Sequence, residues 1–186
     1  MTEGKMQRYG TVARLFHWVV AAVVFVQLPM GIAMTSYGFE EWRDALFIGH
    51  KGLGVILLFL VLLRLLWRLF HTPPPPPPHW PPVQRFLAKV THGTLYFLLL
   101  VLGVSGYLRT IGGGFPIELL DALGVPPLVP EMQDTAETIA VVHKFTAYLL
   151  TGLVGVHVAA AFHSALVEKD GVMGRMWPPV GGRDPS

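Results

Sequence analysis

Four histidines, His17, His50, His143 and His157, lie inside or at the edges of long apolar stretches. An ionisable side chain in hydrocarbon is costly to insert and usually marks a functional site. Imidazole can ligate a metal, relay a proton or make a polar contact between helices. One such residue would be read as a relay or a contact. Four at paired depths point to metal ligation, and the elements that carry them decide which metal.

The 186 residues are 52% hydrophobic and 14% charged, with a mean hydropathy of +0.51, too apolar for a solvated surface. The expected class is an all-α integral membrane four-helix bundle forming a single domain, in contact with membrane lipid. Its spans are expected at about 13–35, 46–70, 90–109 and 139–166, since a hydrocarbon core takes roughly 20 helical residues. Pro29 and Gly31 are expected to kink the first. The first span does not read as a cleaved signal, because His17 and Trp18 sit where the apolar region would begin. With a net charge of +2 and no basic stripe, nucleic-acid binding has no support. Zero cysteines exclude disulfides, thiolate-bound iron–sulfur clusters and covalently attached c-type haem.

Loop charge sets the expected orientation. Lys5, Arg8 and Arg14 near the N-terminus, and Arg64, Arg68, Arg85 and Lys89 around the second connection, should be cytoplasmic. The other two connections carry Glu40, Glu41 and Asp44, then Glu118, Asp121, Glu131, Asp134 and Glu137, and should face outward. Both termini are then inside. The stretch from Met1 to Arg8 is expected to be solvated and mobile. The cytoplasmic connection 71–88 holds an unbroken run from Pro73 to Pro78, expected to act as a polyproline II strap rather than as a docking site for a proline-binding partner. In the outer connection 110–138, residues Ile117 to Leu123 should form a short amphipathic helix behind Gly112, Gly113 and Gly114.

Depth decides which histidines can meet. His50 and His143 start the second and fourth spans on the outer side, and no other histidine shares their depth. His157 follows His143 by 14 residues, about 21 Å along a helix and within roughly 40° of four full turns. One face of the fourth helix therefore presents two imidazoles, one per leaflet. On depth alone, the inner partner of His157 is either His17 or His92. Two axial histidines from facing helices can clamp a non-covalent haem b, giving an iron that moves electrons rather than activating dioxygen. Two pairs far apart do not make a tetrahedral zinc site.

Gly49, Gly52 and Gly54 around His50, and Gly152 and Gly155 before His157, would let a macrocycle approach the backbone, or would simply pack helices. Arg14, Lys51 and Lys144 flank histidines and are candidate propionate partners, unless they snorkel to headgroups.

The segments Arg14–Leu–Phe–His17–Trp18, Gly49–His50–Lys51–Gly52–Leu–Gly54, Arg64–Leu–Leu–Trp–Arg68 and His143 through His157 to His163 resemble the bacterial cytochrome b561 family of di-haem membrane cytochromes, over nearly the whole chain. The proline run is longer than the family leads one to expect. The resemblance implies two haems b, ligated by His17 with His157 and by His50 with His143, in the inner membrane. It further implies electron transfer linked to quinone, in the manner of superoxide oxidases that pass electrons from superoxide to ubiquinone. Lys51, Lys144, Arg43 or Arg109 would then attract superoxide, against the opposing charge of the acidic outer connections. His92, His163, Ser164 and Arg64 are the candidate quinone site. The competing reading is a cytochrome b subunit relaying electrons between a partner dehydrogenase or hydrogenase and the quinone pool. A haem sensor or carrier is a third.

Overall fold

The computed structural model describes residues 7–177; Lys5 and most of the N-terminal stretch expected to be mobile lie outside the described residues. The described chain is all helix, turn and connection, without a strand. Four long helices, α1 (Thr11–Ala33), α2 (Arg43–Phe70), α3 (Pro82–Gly112) and α5 (Gln133–His163), are each long and apolar enough to cross a membrane. A fifth, α4 (Glu118–Ala122), lies in the connection between α3 and α5.

The helix ends outrun the apolar spans. Pro82 opens α3 where a missing N–H loses nothing, so the helix starts eight residues before Val90 and carries the polar Gln84, Arg85 and Lys89. At its other end Phe115 N–H donates to the Thr110 carbonyl, and Gly114 takes a left-handed φ of 76° that a side chain would resist. Helix α5 likewise begins at Gln133, with Asp134 in its first turn favoured by the positive end of the helix dipole. It runs on into a π-helical turn, Ser164–Glu168, and the chain reverses at Lys169 with φ 52°. Helix α1 continues unbroken past Pro29.

Helix α3 packs along α5, α1 along α2, and α2 joins the two pairs through α3. Val20, Val24 and Val61 form the buried centre, wrapped by Leu57, Leu60, Leu99 and Leu100. Large apolar side chains on every long helix, such as Phe25, Phe59, Phe97 and Phe145, point outward. A water-soluble bundle buries such residues, whereas a lipid-facing one displays them. Lipid removes the hydrophobic drive between helices, so close packing and polar contacts hold the bundle.

At the end carrying Gln7 and Trp177, the first and last described residues, Arg175 ties three segments. Its guanidinium donates to the Gln7 carbonyl at 2.9 Å and the Pro75 carbonyl at 2.7 Å, while its own carbonyl accepts from Tyr9 N–H. Asp170 fastens the same layer, accepting from the Ser164 hydroxyl, Val172 N–H and Trp80 Nε1. The proline run is thus held against the bundle, with Pro77 fully buried. At the opposite end Lys51 reaches from α2 to the Pro116 carbonyl and Glu118, pinning α4.

Candidate functional site

The four histidines meet in two pairs from facing helices. His50 on α2 and His143 on α5 have ring centres 6.3 Å apart and planes at 84°. His17 on α1 and His157 on α5 have centres 6.4 Å apart and planes at 77°. The two pairs are nearly identical in separation and tilt, and α5 supplies one ring to each.

An imidazole nitrogen bonds a first-row metal at about 2.0 Å and lies about 1.15 Å from its ring centre, so two rings across one ion stand about 6.3 Å apart. Both pairs have that spacing. His92 also approaches His157, but at 5.3 Å, closer than two rings on opposite sides of one ion can stand.

Second contacts orient the rings. His143 Nδ1 lies 3.0 Å from the Ser105 hydroxyl, which in turn faces the Leu102 carbonyl at 3.3 Å. The carbonyl can only accept, so the hydroxyl donates to it and takes a hydrogen from His143 Nδ1. That leaves the His143 Nε2 lone pair free for a ligand. His92 Nδ1 donates to the Ala88 carbonyl at 2.6 Å. At His17 the arrangement differs: Arg64 Nη2 is 3.2 Å from Nδ1, and a guanidinium only donates. A neutral His17 then carries its hydrogen on Nε2, and binding metal there requires Arg64 to release Nδ1. The Tyr96 ring, 5.3 Å from the guanidinium, already offers it a second partner.

Of the glycines expected to admit a macrocycle or to pack helices, Gly49, Gly52 and Gly54 pack helices and Gly152 and Gly155 face open space. A side chain at Gly49 or Gly54 would meet Met30 or Gln27 of α1, one at Gly52 would meet Leu119 of α4, and Gly152 and Gly155 have no neighbour within 4 Å. The glycines that make room for histidine are Gly31 and Gly106, where a Cβ would come within 3.1 Å of His50 Cε1 and of His143 Cε1. Gly106 and Ser105 carried no sequence signal beyond being small residues on an apolar helix.

The candidate cations separate by partner. Lys51 is committed to Glu118 and Pro116, and Arg43 pairs with Glu40 at 3.8 Å. Lys51 is therefore not available to a propionate as expected, because its ammonium is neutralised by α4. Lys144 is exposed, while Arg14 is wholly buried one turn before His17 and donates to Thr11 Oγ1. Arg109, half-buried at the end of α3, acts electrostatically on both His50 and His143. No hydrogen bond or ion pair engages its side chain among the described residues.

The expected quinone set does not assemble as one site. Arg64 and His92 gather at His17 and His157, but His163 is exposed and faces Glu168 at 3.7 Å, and the Ser164 hydroxyl is taken by Asp170. His163 is the last residue of α5, and Ser164 opens the π-helical turn that follows it.

A four-helix membrane bundle with two stacked histidine pairs defines a class, the membrane cytochromes that hold haem between helices. Residues 8–179 match the family model described as prokaryotic cytochrome b561, and the chain belongs to that family. It is 30% identical over 171 residues to cytochrome b561 homolog 2 of Escherichia coli (strain K12), covering 91% of each chain. It is 27% identical over 178 residues to the probable superoxide oxidase CybB of Yersinia pestis, covering 92% of this chain and 97% of that one. The protein is thus a multi-pass bacterial membrane electron-transfer protein that binds b-type haem.

Proposed function

We propose that the protein is a di-haem cytochrome of the bacterial inner membrane, a superoxide:ubiquinone oxidoreductase with both termini in the cytoplasm. The observation that carries the di-haem reading is the pair of matched ring separations, 6.3 and 6.4 Å, on one face of α5. In this reading His50 and His143 hold the outer haem, and His17 and His157 the inner one. The 5.3 Å approach of His92 to His157 favours His17 as the inner ligand. Haem held by each pair would supply a one-electron carrier.

The chain's own residues would do the rest. Arg109 is a half-buried cation that acts electrostatically on both outer histidines, and a cationic rim raises the encounter rate of an anion such as superoxide. The pairing of Lys51 with Glu118 and of Arg43 with Glu40 leaves that role to Arg109, with exposed Lys144 further out. At the inner centre Arg64 and His92 supply a donor and a titratable ring for a quinone carbonyl. The balance is two superoxide anions oxidised to dioxygen, with two electrons and two protons taken up by one quinone to give the quinol. The name of the Yersinia pestis relative supports this donor.

The test mixes purified holoprotein with a superoxide generator and a soluble ubiquinone analogue. Haem reduction by superoxide and quinol formation should exceed a haem-depleted control. Equal rates in the two would remove the superoxide reading and leave the electron relay to a protein partner.

A further inference from the structure

Beyond the ligands themselves, Ser105 stands out as a buried hydroxyl with no partner except the ring of His143 and its own helix. It is 6% exposed in a helix otherwise lined with leucine, and the next residue, Gly106, is the one whose missing side chain admits the same imidazole. The two together form a cradle on α3: the glycine sets how close the ring may come, and the serine sets which nitrogen carries the hydrogen. A serine inside a membrane helix normally returns its hydroxyl to a carbonyl one turn back. Ser105 does so through the Leu102 carbonyl and also accepts from His143 Nδ1, forming a chain of ring, hydroxyl and backbone.

We infer that Ser105 is the positioning residue that sets the redox potential of the His50–His143 centre. The inference rests on the proposed ligation by His143. A hydrogen bond from the distal ring nitrogen to an oxygen makes an imidazole a more basic ligand, and such contacts behind a ligand tune the metal and fix the ring. A more basic ligand stabilises the oxidised iron and lowers the potential. Among the described residues no hydrogen-bond acceptor faces the rings of the other pair, and a guanidinium donor faces His17. Cations stand at both centres, Arg109 acting on His50 and His143 and Arg64 beside His17, so the acceptor behind His143 is what distinguishes the outer one. The outer centre is held at the lower potential, and electrons run from it to the inner one.

Redox titration of the purified holoprotein, followed by optical spectroscopy, tests this with Ser105→Ala and Ser105→Thr. In Ser105→Ala the low-potential wave should move to a more positive potential while the other stays fixed and two haems per chain remain. Ser105→Thr, which keeps the hydroxyl, should restore the original wave. An unmoved low-potential wave in Ser105→Ala with both haems present would overturn the inference, as would an equal shift in the threonine variant. His143→Ala separates this from the ligation reading: retention of both haems there overturns the ligand assignment itself. Loss of haem from both serine variants would show a purely structural role and overturn the inference too.

Discussion

The Lys51 ammonium stands 2.7 Å from Glu118 Oε1 and holds α4 against the start of α2. This pair neutralises a cation that would otherwise border the His50–His143 centre. Glu118→Gln should release that charge and raise the rate of reduction by superoxide a few-fold, with a steeper dependence on ionic strength. Stopped-flow reduction at two salt concentrations measures it. Hydrogen bonding to Lys51 keeps the Glu118 carboxyl below the usual carboxylate range. Its contribution is therefore present above the unfolded carboxylate pKa of about 4.3 and is lost as pH falls through the lower folded value. The Glu118 side chain is 39% exposed, so solvent screening should keep the change in stability within about 1 kcal/mol.

His50→Ala and His143→Ala should each leave one haem per chain. Pyridine haemochrome analysis against protein concentration counts them, and two haems in either variant contradicts the outer ligation.

The inner centre is tested by a contrast. His17→Ala should lose the second haem and His92→Ala should keep both, because only His17 stands from His157 at the distance of two rings on opposite sides of one ion. The reverse pattern would make His92 the ligand and release His17 to its contact with Arg64.

Asp170→Asn should loosen the layer that joins the proline run to the end of α5. Burial raises the Asp170 carboxyl, but the hydrogen bonds from Ser164, Val172 and Trp80, with His79 nearby, outweigh it and leave the group below its ordinary value. The stabilisation is accordingly full above about pH 4 and fades as pH falls through the lower folded pKa. With the side chain only 5% exposed, loss of its charged hydrogen bonds should cost about 1–3 kcal/mol. Thermal unfolding in detergent and limited proteolysis near Pro78 report it.

The four apolar runs were legible as spans because hydrocarbon selects for unbroken hydropathy, and the His143–His157 spacing was legible because a helix has a fixed period. Helix ends were less so. Pro82 and Gln133 begin their helices in polar sequence, where capping and the dipole decide rather than the membrane. The contacts that orient the rings were invisible for a different reason. Ser105 meets His143 across 38 residues and Arg64 meets His17 across 47, and neither partner carries a local pattern that predicts the other. The glycine cluster near His50 leaves helix packing and haem access equally open in sequence, and only the fold shows that Gly49 and Gly54 face α1.

The Arg175 clamp sets an order of events during synthesis. Pro75 leaves the ribosome 100 residues ahead of the guanidinium that will hold it, an interval on the order of 5–20 s at ordinary elongation rates. Throughout that time the first two helices can be in the bilayer while the strap stays open. The latch closes only after α5 has been delivered with its end on the same side as the strap. A chain whose last helix inserted the wrong way would leave Arg175 across the membrane from Gln7 and Pro75, so a closed clamp records that all four crossings were made in the right sense.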